Sequence, residues 1–380
     1  CGNQQDYTNG KIVADFNGDG ISDYYDTSIL FLSDGEGKLE NLSQTNLPDL
    51  FFNDAHGQIF VHDAHYGDLD GDGDLDIFVP IVDSTVTGFK FGGAVDECSG
   101  CTQPIPFTAL INDGSGFFTA NHNIPQFTEW VEVDYDNWGN NVDNIWPTTA
   151  AIGDFDNDND FDVVTEYPLN PSYISFYLND NGNFINQDLL QNENGTYVLG
   201  QQGAIPTFCD IDGDNDLDFF AVNLIGTVSF YENIGIEDNK PIFNFITSDW
   251  ENISIVGQFR HGANAINFID LDNDSDFDLV WGDYYQPSLY VIWNLGNNTE
   301  PDMDNINFLT YFPEENPIIT VGRNMPSFTD IDSDGDQDLF VTVLGGTGGI
   351  QLNDNFYFYE NIGLNEESNY IFKTEDFLNS

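Results

Sequence analysis

This chain is short of positive charge. Its 380 residues include 7 Lys and Arg against 66 Asp and Glu, a formal net charge of −59. Such a surface repels phosphate backbones and anionic lipid headgroups, which excludes nucleic acid and acidic membrane surfaces as partners. Phosphate-ester chemistry, which needs several Lys or Arg around the substrate, is disfavoured for the same reason. Methionine (2) and cysteine (4) are also scarce. Helical periodicity is absent, and so is any apolar run long enough to span a bilayer. No nucleophile–base motif is visible, so catalysis is not the first expectation. Apolar residues come instead in short runs bounded by Gly, Asn and Asp, the pattern of strands and tight turns.

The acid that dominates the composition is not scattered. Aspartate recurs at every second position in six runs, beginning at Asp15, Asp68, Asp154, Asp210, Asp270 and Asp330, each at the end of an apolar strand-like segment. Carboxylates this dense repel one another by several kcal/mol unless a cation sits among them. An oxygen-only ligand set selects a hard ion, and the loops look like the first two-thirds of an EF-hand, so calcium is the expected cofactor, about six ions in all.

Spacing names the ligands. Counting the first Asp as position 0, positions +2, +4 and +8 present side-chain oxygens, and +6 a backbone carbonyl or a water contact. The first run offers Asp15, Asn17, Asp19, Ile21 and Asp23, with Ile21 acting through its carbonyl. The second offers Asp68, Asp70, Asp72, Asp74 and Asp76, and the third Asp154, Asp156, Asp158, Asp160 and Asp162. The fourth has Asp210, Asp212, Asp214, Asp216 and Asp218, and the fifth Asp270, Asp272, Asp274, Asp276 and Asp278. The sixth has Asp330, Asp332, Asp334, Asp336 and Asp338. Positions +3 and +5 hold only Gly, Asn or Ser, residue types suited to the left-handed backbone of a tight ion loop. Plain solvated turns would not keep both sets of positions six times.

The surroundings of the runs repeat as well. Consecutive runs start 53, 86, 56, 60 and 60 residues apart, and a period of this size marks a propeller or solenoid. After each run comes an apolar strand (Ile77–Val79, Leu279–Trp281), then a second strand ending in an Asn/Asp/Gly turn (Ala109–Gly114, Leu289–Gly296), then an amphipathic stretch. The expected fold is therefore all-β: a propeller of six four-stranded blades, with seven possible. Residues 11–380 read as one propeller domain with insertions at about 83–106 and 120–146, and 1–10 as a polar tether.

The loops and their framing resemble the FG-GAP/VCBS repeats of bacterial surface proteins, which are related to the integrin α-chain propeller. The resemblance covers about residues 10–375. It implies calcium in the loop between the first and second strands of each blade, and a binding face opposite those loops. It implies little about activity, because propellers of this type serve as lectins, adhesins, lyases and scaffolds.

Other residues carry weaker signals. The two arginines stand where segments enter first strands, Arg260 beside His261 and Arg323 beside Asn324, with His62 in a comparable place. That placement suits an anionic or polyhydroxyl ligand, although each Arg could merely pair with local acids. Trp138 and Trp146 lie in the second insertion among acids and amides, a composition that stacks on sugars or anchors a loop; Trp281 poses the same choice. Cys98 and Cys101 are spaced for a small disulfide or a zinc half-site. Cys209 falls in a core strand and is expected to be a buried free thiol. A start at Cys1 followed by a polar stretch is what lipoprotein processing leaves, an artificial chain boundary being the alternative.

The expectation is a non-catalytic, calcium-stabilised scaffold or protein-binding subunit, lipid-anchored on the outer membrane of a Gram-negative bacterium. A surface glycan-binding module is the alternative, and a polysaccharide lyase the more distant one. Calcium at ~1 mM on sites of ~10 µM affinity would stabilise the fold by about 2.7 kcal/mol per ion.

Overall fold

Each acidic run ends on the first residue of a strand. These strands are Asp23–Asp26, Asp76–Val79, Asp162–Glu166, Asp218–Val222, Asp278–Gly282 and Asp338–Val343. Each pairs antiparallel with the strand before its loop and with the strand after it. They are the interior strands of their sheets, and side chains on both their faces pack into core clusters, so the sequence reads as a continuous apolar run instead of alternating. Every residue of Asp76–Val79, Asp218–Val222 and Asp278–Gly282 is buried.

The computed structural model describes residues 11–26, 29–35, 38–48, 59–61, 64–79, 81–83, 108–121, 149–166, 172–200, 206–223, 225–255, 265–283, 286–322, 324–331, 334–343, 356–363 and 368–375. The chain falls into two units, Cys1–Leu189 and Leu190–Ser380. Six antiparallel sheets follow one another along it, the six blades of a β-propeller fold, three in each unit. The bulk of both predicted insertions lies outside the described residues, as do Cys1, Cys98 and Cys101.

In the first unit, blade 1 runs Lys11–Ala14, Asp23–Asp26, Ile29–Ser33, Leu39–Asn41. Blade 2 runs His65–Gly67, Asp76–Val79, Thr108–Ile111, Thr119–Asn121. Blade 3 runs Thr149–Gly153, Asp162–Glu166, Ser172–Leu178, Ile185–Leu189. A two-stranded ribbon, Ile59–Val61 with Ile81–Asp83, accompanies them.

In the second unit, blade 4 runs Thr207–Cys209, Asp218–Val222, Val228–Ile236, Pro241–Thr247. Blade 6 runs Asn324–Thr329, Asp338–Val343, Phe356–Asn361, Tyr370–Thr374. Blade 5 departs from the four-strand expectation. It has three regular strands, Ala265–Ile269, Asp278–Gly282 and Leu289–Ile292, and its outer edge forms no regular strand, pairing through isolated bridges from Val291 to Leu309 and Asn294 to Met303. Pro301, Pro313 and Pro317 punctuate that edge segment, and a residue without an N–H cannot extend a ladder.

Side chains alternate between neighbouring interfaces, as the period of a strand requires. Ile77 and Val79 pack with Ile12, Tyr25 and Leu30, whereas Phe78 joins Ala150, Val163 and Tyr177. In the second unit Leu279 and Trp281 pack with Phe220, Trp250 and Ile292, and Val280 turns the other way to Leu339 and Val341. Trp281 is fully buried, which makes it a core residue and not a sugar-stacking plate. Burying an aliphatic or aromatic side chain of this kind contributes about 1.5–3 kcal/mol. Blades also approach where a side chain would obstruct them: a Cβ on Gly282 would lie 1.9 Å from the Asn324 carbonyl oxygen, and one on Gly67 2.1 Å from the Phe161 ring.

Candidate metal centres

The six loops are built by one recipe. The Asp at position 0 wraps the turn around itself by accepting backbone N–H bonds from +4 and +5: Asp154 from Asp158 (3.0 Å) and Asn159 (3.1 Å), Asp270 from Asp274 (3.0 Å) and Ser275 (3.0 Å). Asp15 and Asp68 accept a third such bond from +3, both at 2.7 Å. The +4 carboxylate then accepts the +6 N–H, as Asp214 does from Asp216 at 3.1 Å. This winding forces +3 and +5 into the left-handed region: φ is 61° at Asn157, 76° at Asn159, 58° at Asn273 and 77° at Ser275. Gly and Asn tolerate that backbone best.

Position +8 does something the spacing did not disclose. Its carboxylate is buried and faces inward, one oxygen accepting a backbone N–H from the third-strand side and, in every loop but the fourth, the other accepting the N–H of position +1; Asp218 Oδ2 is buried without a partner. Asp76 takes Leu69 N–H at 2.8 Å and Asn112 N–H at 2.8 Å; Asp278 takes Leu271 at 3.1 Å and Asn294 at 2.8 Å. The same bond to the third strand joins Asp23 to Ser33, Asp162 to Asn179, Asp218 to Asn233 and Asp338 to Asn361. Position +8 is therefore a fastener between the loop and the next turn, whatever oxygen lone pair it also turns toward an ion.

At position +6, Asp74, Asp160, Asp216 and Asp276 each hold a buried Oδ1 with no hydrogen-bond partner. So do Asp70, Asp156, Asp212 and Asp272 at +2. The charged forms suffer accordingly. Burial first, then the neighbouring carboxylates, push Asp74 and Asp276 up to about 6 and Asp216 to about 7. Asp156 rises to about 6 for the same reasons. Burial drives Asp76 to about 7 and Asp162, Asp218 and Asp278 to about 8, against the lowering pull of their backbone donors.

Orphaned buried oxygens beside like charges are what a cation would answer. Ligand-capable oxygens lie within 4.8 Å of one another in Asp68/Asp70/Asp76, Asp154/Asp156/Asp158, Asp210/Asp212/Asp214 and Asp270/Asp272/Asp274. All are hard carboxylate donors, so the residues fit calcium or a similar divalent ion and do not fit a soft metal.

His62, Trp138, Trp146, Arg260, His261, Arg323 and Asp332 lie outside the described residues. Asn324 is fully buried. Its Nδ2 donates to the carbonyls of Gln286 (3.0 Å) and Ser288 (3.1 Å), and its Oδ1 accepts from Thr320 Oγ1 at 2.6 Å. That is an internal clamp between blades 5 and 6. Cys209 is a buried free thiol whose pKa is pushed up by burial.

The residue that follows each backbone donor to +8 lies beyond the end of the third strand in five blades and inside it in blade 4, and its identity splits the molecule in two. In blades 1–3 that residue is Asp34, Asp113 or Asp180, all exposed. In blades 4–6 it is Ile234, Leu295 or Ile362, left 44%, 65% and 44% exposed. The residues were visible in the sequence; their shared position became apparent only through the hydrogen bonds.

No family model matches the chain. A stretch of 107 residues is 31% identical to cartilage acidic protein 1 of Xenopus tropicalis, covering 27% of this chain and 16% of that protein. Similar solved structures include a β-xylosidase/α-arabinofuranosidase from a compost microbial metagenome, with 12% identity, a TM-score of 0.43, and coverage of 86% of this chain and 97% of that one. A rhamnogalacturonan lyase of Bacillus licheniformis gives 12% identity and a TM-score of 0.39 over 97% of this chain and 72% of that one. These likenesses are architectural and say nothing about activity.

Proposed function

We propose that this protein is a non-catalytic, calcium-stabilised scaffold of the FG-GAP/VCBS type that docks a protein partner on the turns beside the metal loops of its second unit. The observation that carries this reading is the matched placement of Ile234, Leu295 and Ile362. Aliphatic side chains left this exposed gain about 1–2 kcal/mol each on being covered, and each stands beside an acidic loop. The partner this chemistry fits has apolar sockets rimmed by Lys or Arg, so that sockets supply affinity and the rim supplies approach rate and register.

Calcium in this reading is structural. Positions 0, +2, +4 and +6 hold the ion, and +8 ties the filled loop to the turn that presents the aliphatic side chain. Such sites suit surroundings with millimolar calcium, as outside a cell.

The test is a photoreactive residue at Leu295, with a matched one at Asp113, in calcium buffer with membranes of the source organism. A discrete adduct from position 295 alone, abolished by Ile234→Asp with Ile362→Asp, supports docking there. Equal adducts from both positions contradict it. Saturable binding on a glycan array by the double variant would favour the carbohydrate-binding alternative instead.

A further inference from the structure

The outer edge of blade 4 differs from those of the other blades. An edge strand presents a row of backbone N–H and C=O groups on which a further strand can pair. Proteins blunt such edges by shortening the strand or by placing charge on it. Blade 1 ends in the short strand Leu39–Asn41, which carries Glu40, and blade 2 in the equally short Thr119–Asn121. Blade 3 has Asp188 in its outer strand and blade 6 has Lys373. Among the described residues blade 5 has no regular outer strand. The outer strand of blade 4, Pro241–Thr247, is 7 residues long and carries no charge. Among the described residues it pairs with Val228–Ile236 on its inner side and with no strand on its outer side.

Blade 6 shows what blade 4 leaves out. In both outer strands one extra residue interrupts the ladder, opposite Phe230 and Tyr231 in blade 4 and opposite Phe358 and Tyr359 in blade 6. In blade 6 that residue is Lys373, which pairs with Glu360. In blade 4 it is Ile246, 49% exposed, and its neighbour Phe245 is exposed to the same extent. Phe245 meets the Tyr231 ring edge-on, with centroids 5.1 Å apart, and leaves half of its own surface to solvent. An open backbone edge beside two large apolar side chains supplies both things an added strand uses, ladder partners and side-chain contact.

Charge selects the occupant. Glu237 and Asp238 precede the strand and Asp249 follows it, all three exposed, with Lys240 offsetting one of them. A second copy paired antiparallel would bring Glu237 and Asp238 of each chain toward Asp249 of the other, and like charges there repel. A strand with an apolar centre and Lys or Arg at its ends meets acid at both ends instead. We infer that the edge of blade 4 takes up such an extended, basic-flanked segment of a partner protein as an added strand. Pairing at this edge is independent of docking at Leu295 and Ile362.

Hydrogen exchange on the full chain in calcium buffer tests this, with a peptide of alternating Val and Thr between paired Lys residues as probe. The expected result is peptide-dependent protection of amides in 241–247 and none in 370–374. Added salt should weaken that protection, and the same peptide with Glu in place of Lys should give none. Ile246→Lys copies the blade 6 arrangement at an exposed position, so it should abolish the protection with little change in Tm. Absence of protection in 241–247, or equal protection by the Glu-flanked peptide, overturns the assignment whether or not the variant folds. Protection that survives in Ile246→Lys would place the peptide elsewhere and contradict it. Protection of 241–247 that needs no peptide and grows with protein concentration would put a second copy on the edge, which also contradicts it.

Discussion

The two units solve one problem with different chemistry. Both carry three blades with acidic loops, and in both the +8 carboxylate accepts a backbone N–H from the third-strand side. In the first unit the turn asparagine reaches across to the preceding blade: Asn112 Nδ2 donates to Phe16 O (2.7 Å) as well as to its own Leu75 O (3.1 Å). Asn179 likewise joins Leu69 O (2.8 Å) and Phe161 O (3.0 Å). In the second unit Asn361 donates to its own blade at Gln337 O (3.4 Å), and among the described residues Asn294 Nδ2 is buried without a partner. There the blades are held by rings, with Phe220 to Phe268 at 4.5 Å and Phe220 to Trp250 at 5.0 Å, and by amides elsewhere, such as Asn267 Nδ2 to Pro326 O at 2.8 Å. The lesson is that asparagine side chains stitch the acidic loops of neighbouring blades in the first unit, whereas among the described residues of the second unit the corresponding Asn294 and Asn361 make no such bond.

The largest single-residue effect is expected where the two units agree. Replacing Asp162 or Asp278 by Ala strands buried N–H groups at both ends of the fastener, each worth about 1–3 kcal/mol. Chemical denaturation should show a loss of about 3–5 kcal/mol in either unit. A loss below about 1 kcal/mol in both would show that +8 serves only the ion.

A smaller effect should separate the units. Asn112→Ala or Asn179→Ala removes two carbonyl contacts as well as the bonds accepted by Oδ1, whereas Asn294→Ala removes only the bonds its Oδ1 accepts from Gly296 (3.0 Å) and Asp302 (2.9 Å), so the first two should cost about 1–2 kcal/mol more. Equal losses would erase the distinction drawn between the two units.

Proton concentration probes both units together. The raised carboxylates have folded pKa values above their unfolded value of 3.8, up to about 8 at Asp162 and Asp278. A fold that binds more protons than its unfolded chain is favoured by acid. Ion-free protein should therefore lose stability as pH rises from about 4 to about 8, and calcium binding near pH 6 should release protons. Calorimetry in buffers of differing ionisation enthalpy measures that release; its absence would count against the loops as the seat of binding. Smallest of all, Ile234→Asp, Leu295→Asp and Ile362→Asp should each change stability by no more than about 0.5 kcal/mol, as exposed substitutions do. A larger loss would mean these side chains serve the fold.

Much of this was legible in the residues. The acid period, the Gly/Asn positions and the buried run after each loop marked loop and interior strand together, because a tight turn and a two-sided strand restrict residue choice severely. Position +8 was not legible as a fastener, since spacing alone cannot tell a carboxylate aimed at an ion from one aimed at backbone. The asparagine recurring at 112, 179, 233, 294 and 361 was its available signal. The irregular edge of blade 5 was announced by Pro301, Pro313 and Pro317, which the repeat pattern overshadowed. Trp281 read ambiguously because an aromatic side chain suits a core and a sugar platform equally.

The most direct test of the central claim is a thermal melt of the whole chain near pH 7.5 in ~1 mM calcium and again in excess chelator. Sites of ~10 µM affinity would each contribute about 2.7 kcal/mol, which together exceeds the net stability of an ordinary domain. The account predicts a fall in Tm of tens of degrees on chelation, reversed by adding calcium back. An unchanged Tm would mean that the orphaned carboxylates are satisfied without a metal ion, and the account would be wrong.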